Sequence, residues 1–334
     1  MGRGAGGSGK KRWLDKLAKR LKAVKTDRKK SEIAYDLCFY GDARGLDVLW
    51  SYYEDMPAYV VDGLSWFVEK CSDEDFEKHM DKVYGWLVEA LKHHRCDVRE
   101  NAVYGLCEIA MRSPKYRNKV LEILNEVALR DEWCEVRDAA LVSIVAIKYG
   151  WSKVREVEAQ IFKLRDKRDV NSLLRFLDSD EPYFRRVAAW SLYRLCKNVD
   201  KSICRYLFRL VDDRYPCLRL IGLRAYWLYF SEEAKDVLMK LLCDENPCVR
   251  VEAAKYLLEL AKKGALSEEE IKFIGEKLHE MFSKPSVIVD SVTRDEVEDL
   301  LEEFRGFLSC LVGFLSLVSV CCLRGGWFVV TVRV

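Results

Sequence analysis

The residues best suited to chemistry in this 334-residue chain are its 13 cysteines and four histidines. No two cysteines stand in a Cys-x-x-Cys pattern, and the only close pair is Cys321 with Cys322. His93 and His94 are adjacent, so on a helix they point about 100° apart and do not chelate one ion in the way an i, i+4 pair does. The spacing therefore predicts no metal site.

Most of the cysteines fall on apolar helical positions, for example Cys107, Cys196 and Cys243. We expect them to be small buried hydrophobic residues in a reducing, cytoplasmic environment. The alternative is that some of them bind metal or form disulfides. No secretory signal peptide is present, since the basic amino-terminal segment lacks an apolar core.

The segment GAGGSGKK at residues 4–11 resembles part of a phosphate-binding loop. Lys11 stands where such a loop needs Ser or Thr to hold Mg²⁺, and no strand can precede the loop in this sequence. We interpret the segment as a flexible glycine-rich tail. No nucleotide, no other cofactor and no catalytic constellation is expected, so the chain is predicted not to be an enzyme.

Five arginines recur in similar surroundings, as in PCVRVEAAKYLLEL (247–260) and PCLRLIGLRAYWLY (216–229). Each follows an apolar residue, and a small and then a large residue come three and seven positions later. These offsets lie on one stripe of a helix. The repeated arginines are Arg99, Arg137, Arg185, Arg219 and Arg250.

A second amphipathic helix is predicted before each arginine-bearing helix, so the repeating unit is helix A, a tight turn and helix B. The 48-residue spacing between Arg137 and Arg185 is the longest, and residues 151–169 are predicted to add an extra helix there. Residues 45–71 look like a degenerate first copy, in which Val60 replaces the arginine.

The segment VLMKLLCDENPCVRVEAA carries the pattern L-x-x-L-L-x-D-x-x-P-x-[VL]-R-x-x-A-A. This pattern resembles the HEAT-repeat family, especially the short HEAT-like repeats of the phycobilisome-lyase type, and the resemblance covers roughly residues 45–263. It implies an all-α fold, a right-handed α-solenoid of about six stacked antiparallel helix pairs. It also implies that the arginines form a structural ladder, contacting acidic residues such as Asp97, Asp213 or Asp244.

The stacked B helices of such a solenoid are expected to form an extended concave surface. Positions one, five and nine after each arginine are expected to face outward on this surface. They are acidic in the early copies and basic and aromatic in the later ones. The predicted partner-binding groove, for an acidic peptide or a phosphate backbone, consists of Arg186, Trp190, Arg194, Arg224 and Lys255. The alternative is an ordinary solvated surface.

The net charge of +2 is unevenly distributed, because residues 1–30 hold twelve Lys or Arg and two Asp, and the remainder carries about −8. The segment KRWLDKLAKRLKAVK (11–25) predicts a basic amphipathic helix. Residues 10–30 are therefore a candidate for binding an anionic membrane surface or nucleic acid. The alternative role is to cap the first repeat.

The composition changes abruptly after residue 305. Residues 306–323 are 18 uncharged residues, which is at the lower limit for a membrane span. Three interpretations stay open for residues 306–334: a membrane anchor that inserts 306–323, an apolar segment packed on the last repeat, or out-of-frame sequence.

The predicted organisation is a basic leader (1–30), a HEAT-like solenoid (31–284), an acidic terminal helix (285–305) and the apolar tail (306–334). The predicted function is a non-enzymatic scaffold or adaptor that binds another protein through its concave surface. It is expected in the cytoplasm, with membrane association through the tail as an option. The alternatives are a nucleic-acid-binding protein that uses the leader and the groove, and a chromophore-handling factor similar to the phycobilin lyases.

Overall fold

The computed structural model describes residues 7–283, 299–300 and 302–304, and every regular element in this part of the chain is a helix. The all-α prediction is confirmed. The chain divides into two compact units, residues 1–231 and residues 232–334.

The first unit contains twelve α-helices within its described residues, and 3₁₀ helices at Ala43–Gly45 and Lys201–Asp212. The α-helices are α1 (Gly7–Ala23), α2 (Asp27–Phe39), α3 (Leu46–Trp50), α4 (Pro57–Lys70), α5 (Asp73–Ala90), α6 (Cys96–Arg112), α7 (Pro114–Arg130), α8 (Cys134–Tyr149), α9 (Trp151–Asp166), α10 (Val170–Leu177), α11 (Pro182–Asn198) and α12 (Pro216–Phe230). The predicted A and B helices therefore form close to their predicted positions.

Neighbouring helices pack as the repeat pattern requires. The A helices α5, α7 and α10 contact the B helices α6, α8 and α11 that follow them, and the Lys201–Asp212 helix contacts α12. The B helices also contact one another in the order α2, α4, α6 and α8, and α11 contacts α12. Within this unit the chain is thus a stack of helix pairs.

The long interval between Arg137 and Arg185 contains the extra helix, α9. This helix packs against α8, α10 and α11 and buries Val154, Val157 and Ile161. The predicted extra helix is present, and it belongs to the core of the first unit.

Prolines mark the start of several helices. Pro182, Pro216 and Pro247 are the first residues of α11, α12 and of a helix in the second unit. A proline costs little there, because the amide at that position has no intrahelical acceptor. At α5, the Ser72 hydroxyl accepts a hydrogen bond from the Asp75 amide at 3.1 Å, which caps the helix.

The small residue three positions after each repeated arginine lies at a tight helix contact. Ala102, Ala140 and Ala188 are fully buried. At Gly222, an added Cβ would lie only 2.7 Å from the Val211 amide nitrogen and 2.8 Å from the Leu210 carbonyl carbon. The Lys201–Asp212 segment, predicted as an amphipathic helix, approaches α12 this closely as a 3₁₀ helix.

The amino-terminal helix α1 packs its apolar stripe against α2, burying Leu17, Ala18 and Leu21. Its Asp15 forms an ion pair with Arg44 at 2.8 Å. The helix begins at Gly7, so Gly7–Lys11 are helical where the sequence predicts a flexible tail. The lysines and arginines of α1 stay on the exposed face.

The second unit contains α13 (Lys235–Leu241), α14 (Pro247–Lys262) and α15 (Glu268–Ser283). α14 packs against both of the others. Ser267 and Glu270 form a reciprocal capping box at the start of α15, with hydrogen bonds of 2.7 and 3.2 Å.

In the part of the chain that the structure describes, no helix has the length and apolar character needed to cross a bilayer. The proposed tail at 306–334 lies outside the described residues, as does most of 285–305.

Candidate functional site

The five repeated arginines make the same local contact. Each lies near the start of its helix, and its Nη1 donates to the carbonyl oxygens of the residues six and five positions earlier, at 2.6 to 3.2 Å. These carbonyls belong to the A–B turn. Arg99 bonds His93 and His94, Arg137 bonds Asp131 and Glu132, Arg185 bonds Ser179 and Asp180, Arg219 bonds Asp213 and Arg214, and Arg250 bonds Asp244 and Glu245.

Arg99 and Arg185 also contact an acidic residue of a later turn. Arg99 donates from Nε and Nη2 to both carboxylate oxygens of Asp131, at 2.8 and 2.9 Å. Arg185 lies 3.7 Å from the carboxylate of Asp213. Asp97, a predicted partner of the ladder, pairs instead with Arg95. These contacts hold turns together and leave the arginines poorly placed to bind a ligand.

The five residues of the predicted partner-binding groove lie on three helices. Arg186, Trp190 and Arg194 share α11, Arg224 is on α12, and Lys255 is on α14 in the other unit. Arg186 is engaged in an ion pair with Asp138, whereas Trp190 and Arg194 are exposed. Within the first unit, the three α11 residues follow one another at intervals of four on one face of that helix, and Arg224 lies on the neighbouring helix α12.

One expectation about this groove is wrong. The position directly after the repeated arginine was expected to face outward, but Leu220 and Val251 are buried, at 9% and 3% exposure. Both side chains are apolar and are taken into the core, so the outward stripe is interrupted in the last copies.

A different face stands out on the early B helices. On α2 and α4, Tyr35 stacks on Tyr59 with ring centroids 4.3 Å apart, and Phe39 lies 4.9 Å from Trp66. All four rings are half-buried. Together with Tyr104 on α6, they form a row of partly exposed aromatic side chains on three neighbouring helices.

Carboxylates alternate with these rings. We call the whole surface the acidic–aromatic face. Its aromatic residues are Tyr35, Phe39, Tyr59, Trp66 and Tyr104, and its acidic residues are Glu32, Asp36, Asp62, Glu69, Glu100 and Glu108.

Some of these carboxylates lack a cationic partner. Among the described residues, neither Asp36 nor Glu100 forms an ion pair with a lysine or arginine. Burial and the nearby Glu32 carboxylate raise the pKa of Asp36 by more than Arg20 lowers it, and burial with Glu135 and Asp97 raises the pKa of Glu100. The ionised form of these groups is therefore disfavoured in the unbound protein.

The extra helix α9 meets this face beside α6. The Trp151 indole donates to Glu108 at 3.1 Å, and burial raises the pKa of that carboxyl. α9 thus contacts the acidic–aromatic face at its Glu108 end.

Sequence reasoning noticed the acids of α6 but missed the contribution of α2 and α4. Neither helix carries the repeated arginine on which the copies were aligned. The available signal was the i, i+4 spacing of Glu32 with Asp36 and of Tyr35 with Phe39, which places each pair on one side of a helix.

A half-buried charge pair lies where α8 meets α11. Asp138 accepts a hydrogen bond from Arg186 through one carboxylate oxygen, while the other oxygen is buried without a hydrogen-bond partner in the described structure. Burial raises the pKa of Asp138 to about 6, outweighing the opposite effects of Arg186 and Arg137. Proton binding at Asp138 therefore favours the folded state.

This pKa shift predicts a pH-dependent contribution to stability. Because the folded pKa lies above the unfolded value of 3.8, the contribution is fully present below that value and is lost as the pH rises through about 6. Relative to Asp138→Asn, the wild type should lose on the order of 1–3 kcal/mol of unfolding free energy between about pH 4 and about pH 7. Denaturant unfolding of both proteins measures this change, and Asp55→Asn is the exposed control. A constant difference between wild type and Asp138→Asn would contradict the prediction.

The cysteines only partly follow the sequence-based expectation. Cys107 is buried and free, but Cys243 is exposed and free. Cys196, also expected to be a reduced core residue, forms a disulfide with Cys204. The end of α11 and the following 3₁₀ helix bring their Cα atoms to 5.4 Å, which is within the range that a disulfide requires.

The adjacent histidines lie in the turn after α5 rather than on a helix. Their rings stack with centroids 4.2 Å apart, and their carbonyl groups accept the hydrogen bonds from Arg99. In the described part of the chain, no group of three or more His, Cys, Asp or Glu residues could hold a metal ion.

Comparisons with known proteins give structural neighbours only. No protein-family model matches the chain, and no curated protein matches it. The similar solved structures include an archaeal HEAT-like repeats protein from Thermococcus onnurineus, at 12% identity and a TM-score of 0.29, covering 88% of this chain and 98% of that one. The complex of CpcE and CpcF of phycocyanin lyase from Nostoc is 13% identical with a TM-score of 0.29, covering 91% and 97%.

A designed armadillo repeat protein in complex with the peptide (KR)4 is 15% identical with a TM-score of 0.29, covering 81% of this chain and 98% of that one. Scores of this size carry no argument about what the chain binds. The helix pairs and the repeated arginine contact are features of this chain's own structure. On those observations, the described part of the chain is all-α, and its first unit is a stack of helix pairs that share the arginine contact.

Proposed function

We propose that this chain is a non-enzymatic scaffold that binds another protein through the acidic–aromatic face of α2, α4 and α6. The observation that carries the proposal is the row of half-exposed, mutually packed aromatic rings flanked by carboxylates, of which Asp36 and Glu100 form no ion pair with any described residue. The partner is expected to present a segment rich in lysine or arginine.

Aromatic side chains supply large contact areas at little cost in conformational entropy, and they dominate the energetic centres of protein interfaces. The packed rings of Tyr35 with Tyr59, and of Phe39 with Trp66, are already ordered in the unbound chain. A cation placed over such a ring is attracted to its face. Lys70 already occupies this kind of position, 5.5 Å from the Trp66 ring centre.

The carboxylates add charge complementarity. A lysine or arginine of the partner beside Asp36 or Glu100 would favour the ionised carboxylate that burial now disfavours. Such complementarity mainly raises the association rate and the specificity, and both effects decrease at high salt. The early B helices therefore suit a basic partner and repel a nucleic-acid backbone.

A randomised peptide library selected against the full chain tests this proposal without choosing the ligand in advance. The recovered sequences should be enriched in lysine and arginine, and their binding should weaken as the salt concentration rises. Recovery of acidic peptides, or failure to recover any binding peptide, would contradict the proposal.

Nucleic-acid binding is the second candidate, and one observation favours it. The basic residues of α1, including Lys11, Arg12, Lys16, Lys19 and Lys22, are exposed while its apolar stripe is packed on α2. A duplex DNA titration at two salt concentrations tests this candidate, since phosphate contacts give a strong salt dependence. The packing of Leu17 and Leu21 also means that α1 would have to detach before its apolar stripe entered a membrane.

A further inference from the structure

A cavity of about 300 Å³ lies between the carboxyl-terminal ends of α9 and α11. Its lining includes Arg165 from the last turn of α9, Arg168 from the turn that follows, and Arg194 from α11. The acidic Asp166 also lines it, and Leu195, Asn198 and Val199 complete the lining. Three arginines, two from the end of α9 and the turn after it and one from α11, thus line one space.

The positive charge of this cavity is compensated in part, since Asp166 pairs with one of its three arginines. Arg165 donates to Asp166 at 2.9 and 3.1 Å and lies 5.1 Å from the centre of the Phe162 ring. Arg168 and Arg194 form no ion pair with any described residue. Two guanidinium groups therefore remain available to an anion.

The backbone holds Arg168 in an unusual conformation. Its φ of 58° lies in the left-handed region, where glycine is the usual residue after a helix. The Asp169 amide donates to the Leu164 carbonyl at 3.0 Å and the Arg168 amide to the Arg165 carbonyl at 2.9 Å, which closes the end of α9. A glycine would adopt this backbone conformation at a lower energetic cost than an arginine does. The chain nevertheless has Arg168 at this position, and Arg168 lines the cavity.

We propose that this cavity binds a phosphate monoester, held by the guanidinium groups of Arg168 and Arg194. A guanidinium donates two parallel hydrogen bonds to phosphate oxygens. A phosphate monoester carries close to two negative charges at neutral pH, which matches the two uncompensated arginines. A carboxylate, or one phosphodiester of a nucleic acid, carries a single charge and would leave one arginine uncompensated.

Two kinds of ligand present a dianionic phosphate group to such a site. One is a small phosphate ester, and the other is a phosphorylated side chain of a protein. The cavity is separate from the acidic–aromatic face. The proposal of a phosphate site therefore does not depend on the proposed function.

Calorimetric titration of the full chain with inorganic phosphate, a phosphoserine peptide and its unphosphorylated form tests the proposal. We expect saturable binding of the phosphorylated ligands only. Preference for the peptide identifies a protein source, and equal binding identifies a free phosphate or a small ester. Affinity should rise between about pH 5 and about pH 7.5, since the second phosphate proton is lost near pH 6.

Arg194→Gln and Arg168→Asn should each weaken binding roughly tenfold. Asparagine tolerates the left-handed backbone at position 168. Arg155→Gln removes the same charge from an exposed position of α9 that does not line the cavity, and its affinity should stay within about twofold of wild type. An equal loss in all three variants, no saturable phosphate binding, or tighter binding of single-stranded DNA than of the monoesters would overturn the proposal.

Discussion

Replacing Arg99 by methionine should lower the free energy of unfolding by about 3–5 kcal/mol. The substitution removes the Arg99 guanidinium from the Asp131 carboxylate, which is only 9% exposed. It also removes the donor that bonds the carbonyl oxygens of His93 and His94 in the preceding turn. Denaturant unfolding followed by circular dichroism measures the effect.

A double variant shows whether this loss comes from the ion pair. Arg99→Met combined with Asp131→Leu removes both charges, so no buried carboxylate remains unpaired. Its destabilisation should be smaller than the sum of the two single effects by on the order of 1–3 kcal/mol. If Arg99→Met instead left stability unchanged and abolished peptide binding, the arginine would be a ligand-binding residue and the structural role would be wrong.

Replacing Gly222 by alanine should destabilise the protein by about 1–3 kcal/mol, even though alanine is the better helix former. The new methyl group would lie 2.7 Å from the Val211 amide nitrogen, so the 3₁₀ helix at Lys201–Asp212 would have to move away from α12. The neighbouring atoms are backbone, which cannot yield by a change of rotamer. The shift of the denaturation midpoint measures this cost.

Gly85→Ala is the matched control for that experiment. Gly85 lies inside α5, and nothing approaches within 4 Å of the position its Cβ would take. The substitution should therefore stabilise the protein by about 0.5–1 kcal/mol through helix propensity alone. Opposite signs at the two glycines support the close helix contact. A stabilisation at both would show that α12 has room at position 222.

The repeat could be predicted from sequence because its determinants are local. The residues around each arginine, with a proline or cysteine three positions before it and a small residue three positions after it, specify a turn and a helix start. These signals placed α6, α8, α11, α12 and α14 within a few residues of their bounds. The long interval after Arg137 likewise predicted α9.

Contacts between helices determine which residues lie on each proposed binding surface. The spacing of residues along the sequence does not reveal these contacts. The sequence predicts Arg186 to be a groove residue, but in the structure it forms an ion pair with Asp138, which lies 48 positions earlier in the chain. Cys196 and Cys204 meet because α11 ends between them. The acidic–aromatic face includes Tyr35 and Tyr59, which lie on helices without the repeated arginine. An alignment of the copies on that arginine therefore does not identify these two residues.

The most direct test of the account is the affinity of a fluorescent lysine- and arginine-rich peptide for two double variants. Asp36→Asn with Glu100→Gln removes two carboxylates from the acidic–aromatic face, whereas Glu74→Gln with Glu77→Gln removes two exposed ones from α5. With both variants folded, we expect the first to weaken binding roughly tenfold and the second to change it less than about twofold. Absence of peptide binding to the wild type, or an equal loss in both variants, would contradict a binding role for this face.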